Sequence, residues 1–130
     1  MTLELADSKQ RKILESLIDL NQWEWSNVPV LNSVIGRHVY FCIATELLIY
    51  PQHESARSLK RIFNHPEYTD RAIRLKLREM EKAGLIRTFH SEADKRVRFL
   101  APTAEFMQIV AQHTKHLQRL LGKEFMILEK

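Results

Sequence analysis

The stretch from Tyr68 to Ile86, YTDRAIRLKLREMEKAGLI, constrains the fold of this chain more than any other segment. Its apolar residues recur at helical spacing, so Ile73, Leu77 and Met80 share one face of a helix and have to be buried. Solvated helix faces usually mix charges of both signs, whereas the opposite face here is strongly basic. The segment therefore predicts one anchored helix that projects a cationic row formed by Arg71, Arg74, Arg78 and Lys82.

The segments on either side of this helix indicate which structural motif carries the cationic row. A short helix is predicted from about Ser55 to Phe63, and NHPEY then breaks the chain before Thr69, which is suited to cap the next helix. Gly84 can end that helix in the left-handed conformation. Helix, tight turn and second helix form the helix-turn-helix order, in which the second helix enters the major groove of DNA.

Two predicted strands follow, LIRTFH and RVRFLA, around the charged loop SEADK. A two-stranded ribbon directly after a recognition helix is the winged variant of the motif. In the second strand Val97 and Phe99 are expected to face the core, and Arg96 and Arg98 to face outwards, where they reach phosphates or a minor groove.

The distribution of charge supports this interpretation. The chain has a net charge of +4. Residues 57–98 hold 12 Lys and Arg against 6 Asp and Glu, a net +6, and the remaining residues hold 8 against 10, a net −2. Such a local excess of positive charge indicates a polyanionic partner.

The rest of the chain is predicted to be helical. A first helix spans about Asp7 to Asn21, the loop QWEWSNVP follows, an apolar helix runs from about Leu31 to Tyr50, and a last helix runs from Thr103 nearly to Lys130. The first and last helices carry apolar stripes wider than one covered face, which predicts a homodimer interface. Its predicted residues are Leu14, Leu17, Phe106, Val110, Leu117, Leu120, Leu121 and Leu128.

The segment REMEKAGLIRTFHSEADKRVRFLAPTAEF resembles the MarR family of winged helix-turn-helix regulators. The end of the recognition helix matches the family's LE+GLI pattern, Asp94 and Arg96 match its wing Asp-x-Arg, and Thr103 with Glu105 loosely matches its Thr-Glu. Leu75 stands where many members carry an arginine. The resemblance implies a homodimer, an inverted-repeat DNA site and, often, a small-molecule or redox signal that releases DNA.

Together these observations predict a mainly α (α+β) fold, a winged helix-turn-helix with N- and C-terminal dimerisation helices. Residues 1–130 form one domain, with a DNA-binding lobe at about 54–101 and dimerisation helices at about 7–50 and 103–130. The predicted function is a sequence-specific, duplex-DNA-binding transcriptional regulator, a homodimeric repressor. The predicted DNA-binding residues are Arg57, Lys60, Arg61, Tyr68, Thr69, Arg71, Arg74, Leu75, Arg78, Lys82, Lys95, Arg96 and Arg98.

Two other functions fit the same pattern. A winged helix can serve as a protein-docking surface, and a plasmid or phage replication or partition factor would bind DNA in the same way. A docking role predicts an apolar patch on the recognition face, where the sequence has Leu75 alone.

Several further residues are of types that can carry chemistry. Cys42 is read as a small buried hydrophobe, with redox sensing beside His38 as the alternative. His113 and His116 are read as an interface or surface pair, since no third metal ligand is near them in sequence. No metal, cofactor or catalytic site is predicted.

The lone cysteine and the absence of a membrane span favour a cytoplasmic protein. A small aromatic ligand is an open expectation, with Trp23, Trp25, Tyr40 and Tyr50 as candidate walls.

Overall fold

The computed structural model of the protein describes residues 8–51, 57–94, 96 and 98–125. The chain forms two compact units, Met1–Pro29 with Val110–Lys130, and Val30–Ile109. The elements in chain order are α1 (Ser8–Asn27), a 3₁₀ helix (Pro29–Asn32), α2 (Val34–Ile49), β1 (Arg57–Ser58), α3 (Lys60–Phe63), α4 (Asp70–Lys82), β2 (Ile86–His90), β3 (Arg98–Pro102) and α5 (Ala104–Phe125).

The core of the second unit is apolar and is built from its helices and from β2 and β3. Val39 and Ile43 of α2 are buried there with residues of α4, the sheet and the start of α5. The Tyr40 and Phe106 rings pack with their centroids 5.3 Å apart. Because Phe106 is fully buried within its own chain, its assignment to the dimer interface was wrong. Other large side chains fully buried in this core are Ile73, Ile86 and Leu100.

The apolar helix α2 begins three residues later than predicted. Leu31 lies in the 3₁₀ helix, and Ser33 caps α2 by accepting a hydrogen bond from the Gly36 amide at 3.0 Å. The predicted end is confirmed, since Tyr50 closes the helix immediately before Pro51.

The predicted helix from Ser55 to Phe63 was wrong at Arg57 and Ser58, while Ser55 and Ala56 lie outside the described residues. Arg57 and Ser58 form β1, which pairs antiparallel with Leu100 and Phe99 of β3, and only Lys60–Phe63 is helical. The sheet therefore has three strands in the order β1-β3-β2, and its β2–β3 hairpin is the wing. Strand pairing of this kind depends on a partner about forty residues away, which local periodicity does not report.

Both predicted ends of α4 are confirmed. The hydroxyl of Thr69 accepts a hydrogen bond from the Ala72 amide at 3.1 Å. At the other end Gly84 has a φ of +82°, and the Leu85 amide bonds the Met80 carbonyl at 3.0 Å, a hydrogen-bonded helix end that favours glycine. Thr103 then donates to the Gly84 carbonyl at 2.7 Å and caps α5, which begins where it was predicted.

Helix α1 continues through the segment that was predicted to be a loop. Glu24 is buried and lies 2.8 Å from Nε2 of His113, while the Trp23 ring stacks on His116 with centroids 4.6 Å apart. Asp19 bonds His116 at 3.1 Å. These contacts between α1 and α5 hold the last turns of α1 in place, and no helix breaker occurs before Pro29.

Gly36 is required by a close backbone approach. A Cβ at this position would lie 2.0 Å from the Val30 carbonyl oxygen, whereas a Cβ at Gly122 would have no neighbour within 4 Å. Gly36→Ala should therefore lower the free energy of unfolding by about 1–3 kcal/mol or more. Gly122→Ala, the matched control, should leave it unchanged or raise it by up to about 1 kcal/mol through helix propensity. Urea denaturation at one fixed protein concentration measures both, and equal effects of the two substitutions would contradict this packing.

Candidate nucleic-acid interface

Helix α4 presents an exposed stripe opposite its buried face. The buried residues are Ile73, Leu77 and Met80. The exposed side carries Arg71, Leu75, Arg78 and Lys82 at spacings of four, three and four residues, which align on one helical face. Arg74 is exposed beside this stripe, with its guanidinium carbon 5.7 Å from the centre of the Phe63 ring.

The acidic residues in the second half of α4 are engaged away from the stripe. Glu79 bonds Lys76 at 2.8 Å. Glu81 accepts hydrogen bonds from the amide and the hydroxyl of Thr88 in β2, at 3.3 and 3.0 Å. The positive charge of Arg71, Arg78 and Lys82 is therefore not balanced by these two carboxylates.

An aromatic stack supports the turn before α4. The Tyr68 ring stacks on His65 at 4.1 Å, and His65 meets His38 of α2 edge-on at 4.6 Å. His38 Nε2 donates to the Ile62 carbonyl at 2.8 Å. Tyr68 is half-buried, so its ring supports the turn, and Thr69 lies exposed at the start of the helix.

The three basic residues predicted around α3 differ in their surroundings. Lys60 is exposed at the start of α3. Arg61 bonds Glu46 of α2 at 2.8 Å, and this hydrogen bond raises the pKa of Arg61. Arg57 contributes its backbone to β1. Lys60 is thus the residue whose charge is better placed for an external partner, because Arg61 already has one within the chain.

The predicted wing is present, and it carries an arginine that is hydrogen-bonded to a neighbouring carboxylate. Phe89 pairs with Phe99 and Thr88 with Leu100 in the antiparallel hairpin of β2 and β3. Arg96 donates to both oxygens of Asp94, at 3.2 and 3.3 Å, and these hydrogen bonds lower the pKa of the Asp94 carboxyl. The guanidinium of Arg96 is thereby oriented although it is exposed. Lys95 and Val97 lie outside the described residues.

The predicted faces of β3 need correction. Leu100 is buried, and Arg98 is two residues away on the same face of the strand. Phe99 points to the opposite face, where it meets Phe89 with ring centroids 6.2 Å apart. The prediction that Phe99 faces the core and Arg98 faces outwards was wrong, because Leu100 occupies the core and determines the register of the whole strand.

A cationic groove lies where α3, α4 and the wing meet. Its volume is about 280 Å³. Of the described residues that line it, four are basic and one is acidic, so the groove suits an anion. It is lined by Ser58, Leu59, Lys60, Phe63, Asp70, Arg74, Arg96 and Arg98.

A second, wider groove runs along α2. Its volume is about 590 Å³. Val34 and Phe41 expose apolar surface there, and the Arg37 guanidinium carbon lies 5.8 Å from the centre of the Phe41 ring. Cys42 also borders this groove but is buried, and burial raises the pKa of its thiol despite the nearby Arg61. A raised pKa disfavours the reactive thiolate, which fits the interpretation of Cys42 as a small hydrophobe.

Two of the four aromatic residues expected to wall a ligand site pack against other rings of their own units. Trp23 stacks on His113 and His116, and Tyr40 is buried against Phe106. Trp25 and Tyr50 are exposed. The groove along α2 is lined by a different set of side chains, and sequence reasoning missed it because Val34, Arg37 and Phe41 are separated by single helical turns within a segment read only as core.

The apolar stripes predicted for a dimer interface are partly exposed in the first unit. Leu14 and Leu17 of α1 are 44% and 58% exposed, and Leu117 of α5 is 36% exposed. Ile13 and Ile18 extend the exposed apolar surface of α1. Val110, Leu120 and Leu121 are half-buried, and Leu128 lies outside the described residues.

The described residues hold no group of three or more His, Cys, Asp or Glu side chains that could bind a metal ion. The two histidines of α5 are bonded instead to acidic residues of α1, His113 to Glu24 and His116 to Asp19. In the part of the chain that the structure describes, no helix combines the length and apolar character that a bilayer crossing requires.

No family model matches the chain, and no curated protein matches it in sequence. Solved structures match its fold. A mutant of MepR from a multidrug-resistant S. aureus clinical isolate has a TM-score of 0.65 and 14% identity, over 98% of this chain and 87% of that chain. The heme sensor PefR from Streptococcus agalactiae, solved with heme, has a TM-score of 0.57 and 21% identity, over 98% and 84%. A MarR-like transcription regulator from Bacillus cereus has a TM-score of 0.50 and 14% identity, over 95% and 87%.

At these identities the similarity concerns the course of the backbone, not the residues of a site. It confirms the fold class predicted from the sequence. The protein has the mainly helical winged helix-turn-helix fold of MarR-type regulators.

Proposed function

We propose that the protein is a homodimeric transcription regulator, acting as a repressor, that binds an inverted-repeat site in duplex DNA. The observation that carries this proposal is the exposed stripe of α4, on which three cations flank Leu75 while Glu79 and Glu81 are bonded elsewhere. B-DNA's major groove is wide enough to admit one helix, and arginine can bond guanine edges or grip phosphates there. A DNA partner would put the protein in the cytoplasm.

The positions of the side chains suggest a division of roles. Arg71 lies in the first turn of α4, and such first turns enter the groove deepest in helix-turn-helix proteins. Arg78 and Lys82 lie towards the other end of the helix, where backbone phosphates are the closer partners. Thr69 is exposed at the helix start, where it would contact the DNA backbone. Arg96 would contact the DNA from the wing. The proposed contacts on the phosphate backbone are Lys60, Thr69, Arg78, Lys82 and Arg96.

Leu75 bears on the alternative of a protein-docking module. Its side chain is 55% exposed, and its neighbours on the stripe are all cationic. A single leucine among three cations is a poor apolar docking surface, and it can instead contact a thymine methyl group. We therefore favour DNA over a protein partner, while a replication or partition factor would use the same surface on DNA.

We propose further that the first unit forms the dimer interface. Burying the exposed Leu14, Leu17 and Leu117 against a second copy would remove apolar surface from water, and a two-fold axis makes the same patch serve both subunits. A dimer in turn predicts two DNA half-sites about one helical turn apart, or a multiple of it.

An effector would fit the groove along α2. PefR is described as a heme sensor, and its solved complex contains heme. In this chain the groove offers exposed apolar surface on Val34 and Phe41 beside the cation of Arg37, a combination that suits an aromatic acid.

The roles on α4 predict unequal losses of DNA affinity. Arg71→Ala should cost about 1–3 kcal/mol on the preferred site and relax the preference at one base position. Lys82→Ala should weaken all duplexes evenly and flatten the dependence of log K on log salt by about one unit. Titrations with specific and random duplexes at several salt concentrations measure both effects, with the exposed Arg119→Ala of α5 as the control. Equal small losses for Arg71→Ala on both duplexes would show that α4 does not read the sequence.

The dimer is tested on α1. Leu17→Glu should convert the dimer into a folded monomer, because a buried, unpaired carboxylate is costly in an interface but harmless at a position that is 58% exposed within one chain. Sedimentation gives the mass, and circular dichroism gives the helix content. Gln22→Glu, an equal charge change at an exposed position of the same helix, should remain dimeric. A wild-type monomer at micromolar concentration would refute the interface.

The effector groove is tested by ligand-induced stabilisation. At a concentration about 100 times its Kd, a bound aromatic carboxylate would stabilise the protein by about 2.7 kcal/mol and raise the melting temperature by several degrees. Phe41→Ala should abolish that shift, and Leu48→Ala, at an exposed position of α2 outside the groove, should retain it. A shift that survives Phe41→Ala would place the ligand elsewhere.

A further inference from the structure

The cationic groove brings together basic side chains that are far apart in the sequence. Its basic residues come from separate segments, with Lys60 in α3, Arg74 in α4, and Arg96 and Arg98 in the wing. Among the described residues that line it, the one carboxylate is that of Asp70. Four basic side chains thus converge on one space of about 280 Å³, and the carboxylates beside them are Asp70 and, bonded to Arg96, Asp94.

Two of the arginines are oriented by their neighbours. The Arg74 guanidinium lies over the Phe63 ring at 5.7 Å, which keeps it at the wall of the groove. Both oxygens of Asp94 hold Arg96. Cations that are oriented before a ligand arrives lose less freedom when it binds, so this arrangement favours binding at a defined position.

The third arginine, Arg98, is half-buried, and one of its nitrogens is buried without a partner. Nε of Arg98 is the one buried side-chain nitrogen or oxygen, among the described residues, that has no hydrogen-bond partner. Arg98 is carried on the face of β3 that also carries the buried Leu100, and its side chain lines the groove. A buried polar group of this kind in a folded protein calls for a partner that the chain itself does not supply.

The chemistry of the groove selects an oxyanion as that partner. A guanidinium offers donors and no acceptor, and its planar fork matches the oxygens of a phosphate or carboxylate. The buried Leu59 and the half-buried Phe63 also border the groove, and they place apolar surface beside its cations.

We propose that this groove is a phosphate site, in which Arg98 with Lys60, Arg74 and Arg96 holds one backbone phosphate of the bound duplex. The inference rests on the proposed DNA-binding function and deepens it. One phosphate would then be gripped by the recognition helix and the wing together, which fixes the register of the protein on the duplex before any base is read.

Salt dependence tests the number of phosphates held. Arg98→Gln should lower DNA affinity about 10- to 100-fold and flatten the slope of log K against log salt by about one unit. Arg98→Lys, which keeps the charge but loses Nε and the planar fork, should lower affinity and keep most of the slope. Arg119→Gln is the matched control, with the same charge change at an exposed position of α5 outside the groove. Lys60→Gln, at an exposed residue of the groove, provides a second variant should Arg98→Gln fail to fold by circular dichroism.

A chemical substitution in the DNA identifies the phosphate. Replacing single phosphates of a half-site by neutral methylphosphonates should reveal one position at which wild type loses affinity but Arg98→Gln or Lys60→Gln loses little more. Such non-additivity is the signature of two groups in direct contact. If the losses add at every position, the groove does not hold a backbone phosphate.

A third arm separates a DNA phosphate from a free one. Wild type and Arg98→Gln are heated without DNA in inorganic phosphate and in chloride at equal ionic strength. If phosphate stabilises wild type and not the variant, while the variant keeps the wild-type DNA salt slope, the groove serves a free phosphorylated ligand and the DNA contact is overturned. If wild type binds no duplex at low salt, the proposed function itself fails. If wild type binds DNA and Arg98→Gln binds it equally, the function stands and the phosphate site fails.

Discussion

The burial of one face of α4 is the interaction on which the rest of the structure depends. Ile73, Leu77 and Met80 enter a core built from α2, the sheet and the first turn of α5. Each such side chain contributes about 1.5–3 kcal/mol when fully buried, as an upper estimate. Because the side chains of a helix project at fixed angles, this burial also determines which residues point outwards. The cationic stripe is the geometric consequence of the apolar one.

The two ends of α4 determine how the neighbouring segments, including the wing, are placed relative to this helix. Thr69 stops the helix from extending into the preceding turn, and the left-handed Gly84 turns the chain directly into β2, where Ile86 is again buried. Thr103 bonds the Gly84 and Leu85 carbonyls, which ties the start of α5 to the same corner. Hydrogen bonds at this one junction between α4, β2 and α5 help to position the wing. The positions of Arg96 and Arg98 follow from the position of the wing.

The similarity to solved regulators and the proposed function rest on different observations. The backbone agrees with those structures at identities of 14% to 21%, which establishes the fold and leaves the partner open. The partner is argued from side chains of this chain, namely exposed arginines, carboxylates bonded away from them, and a buried guanidinium nitrogen without an internal partner. In the first unit, exposed leucines on α1 and α5 give the corresponding argument for a second copy of the chain.

The sequence by itself determined the parts of this protein that follow from local rules. Helix α4, its Thr69 cap, its glycine end, the wing hairpin and the surplus of positive charge were all predicted, because periodicity, capping and turn chemistry act over a few residues. The dimer and DNA roles of individual residues stay predictions.

Only the tertiary structure decided the features that depend on distant partners. Glu24 extends α1 because His113, 89 residues away, lies beside it. Arg57 and Ser58 are a strand because β3 pairs with them, Phe106 belongs to the core because Tyr40 meets it, and Arg98 lines the cationic groove because Leu100 sets the register of its strand. In each case the local sequence is compatible with more than one conformation, and the contact that selects one of them forms only when the chain has folded.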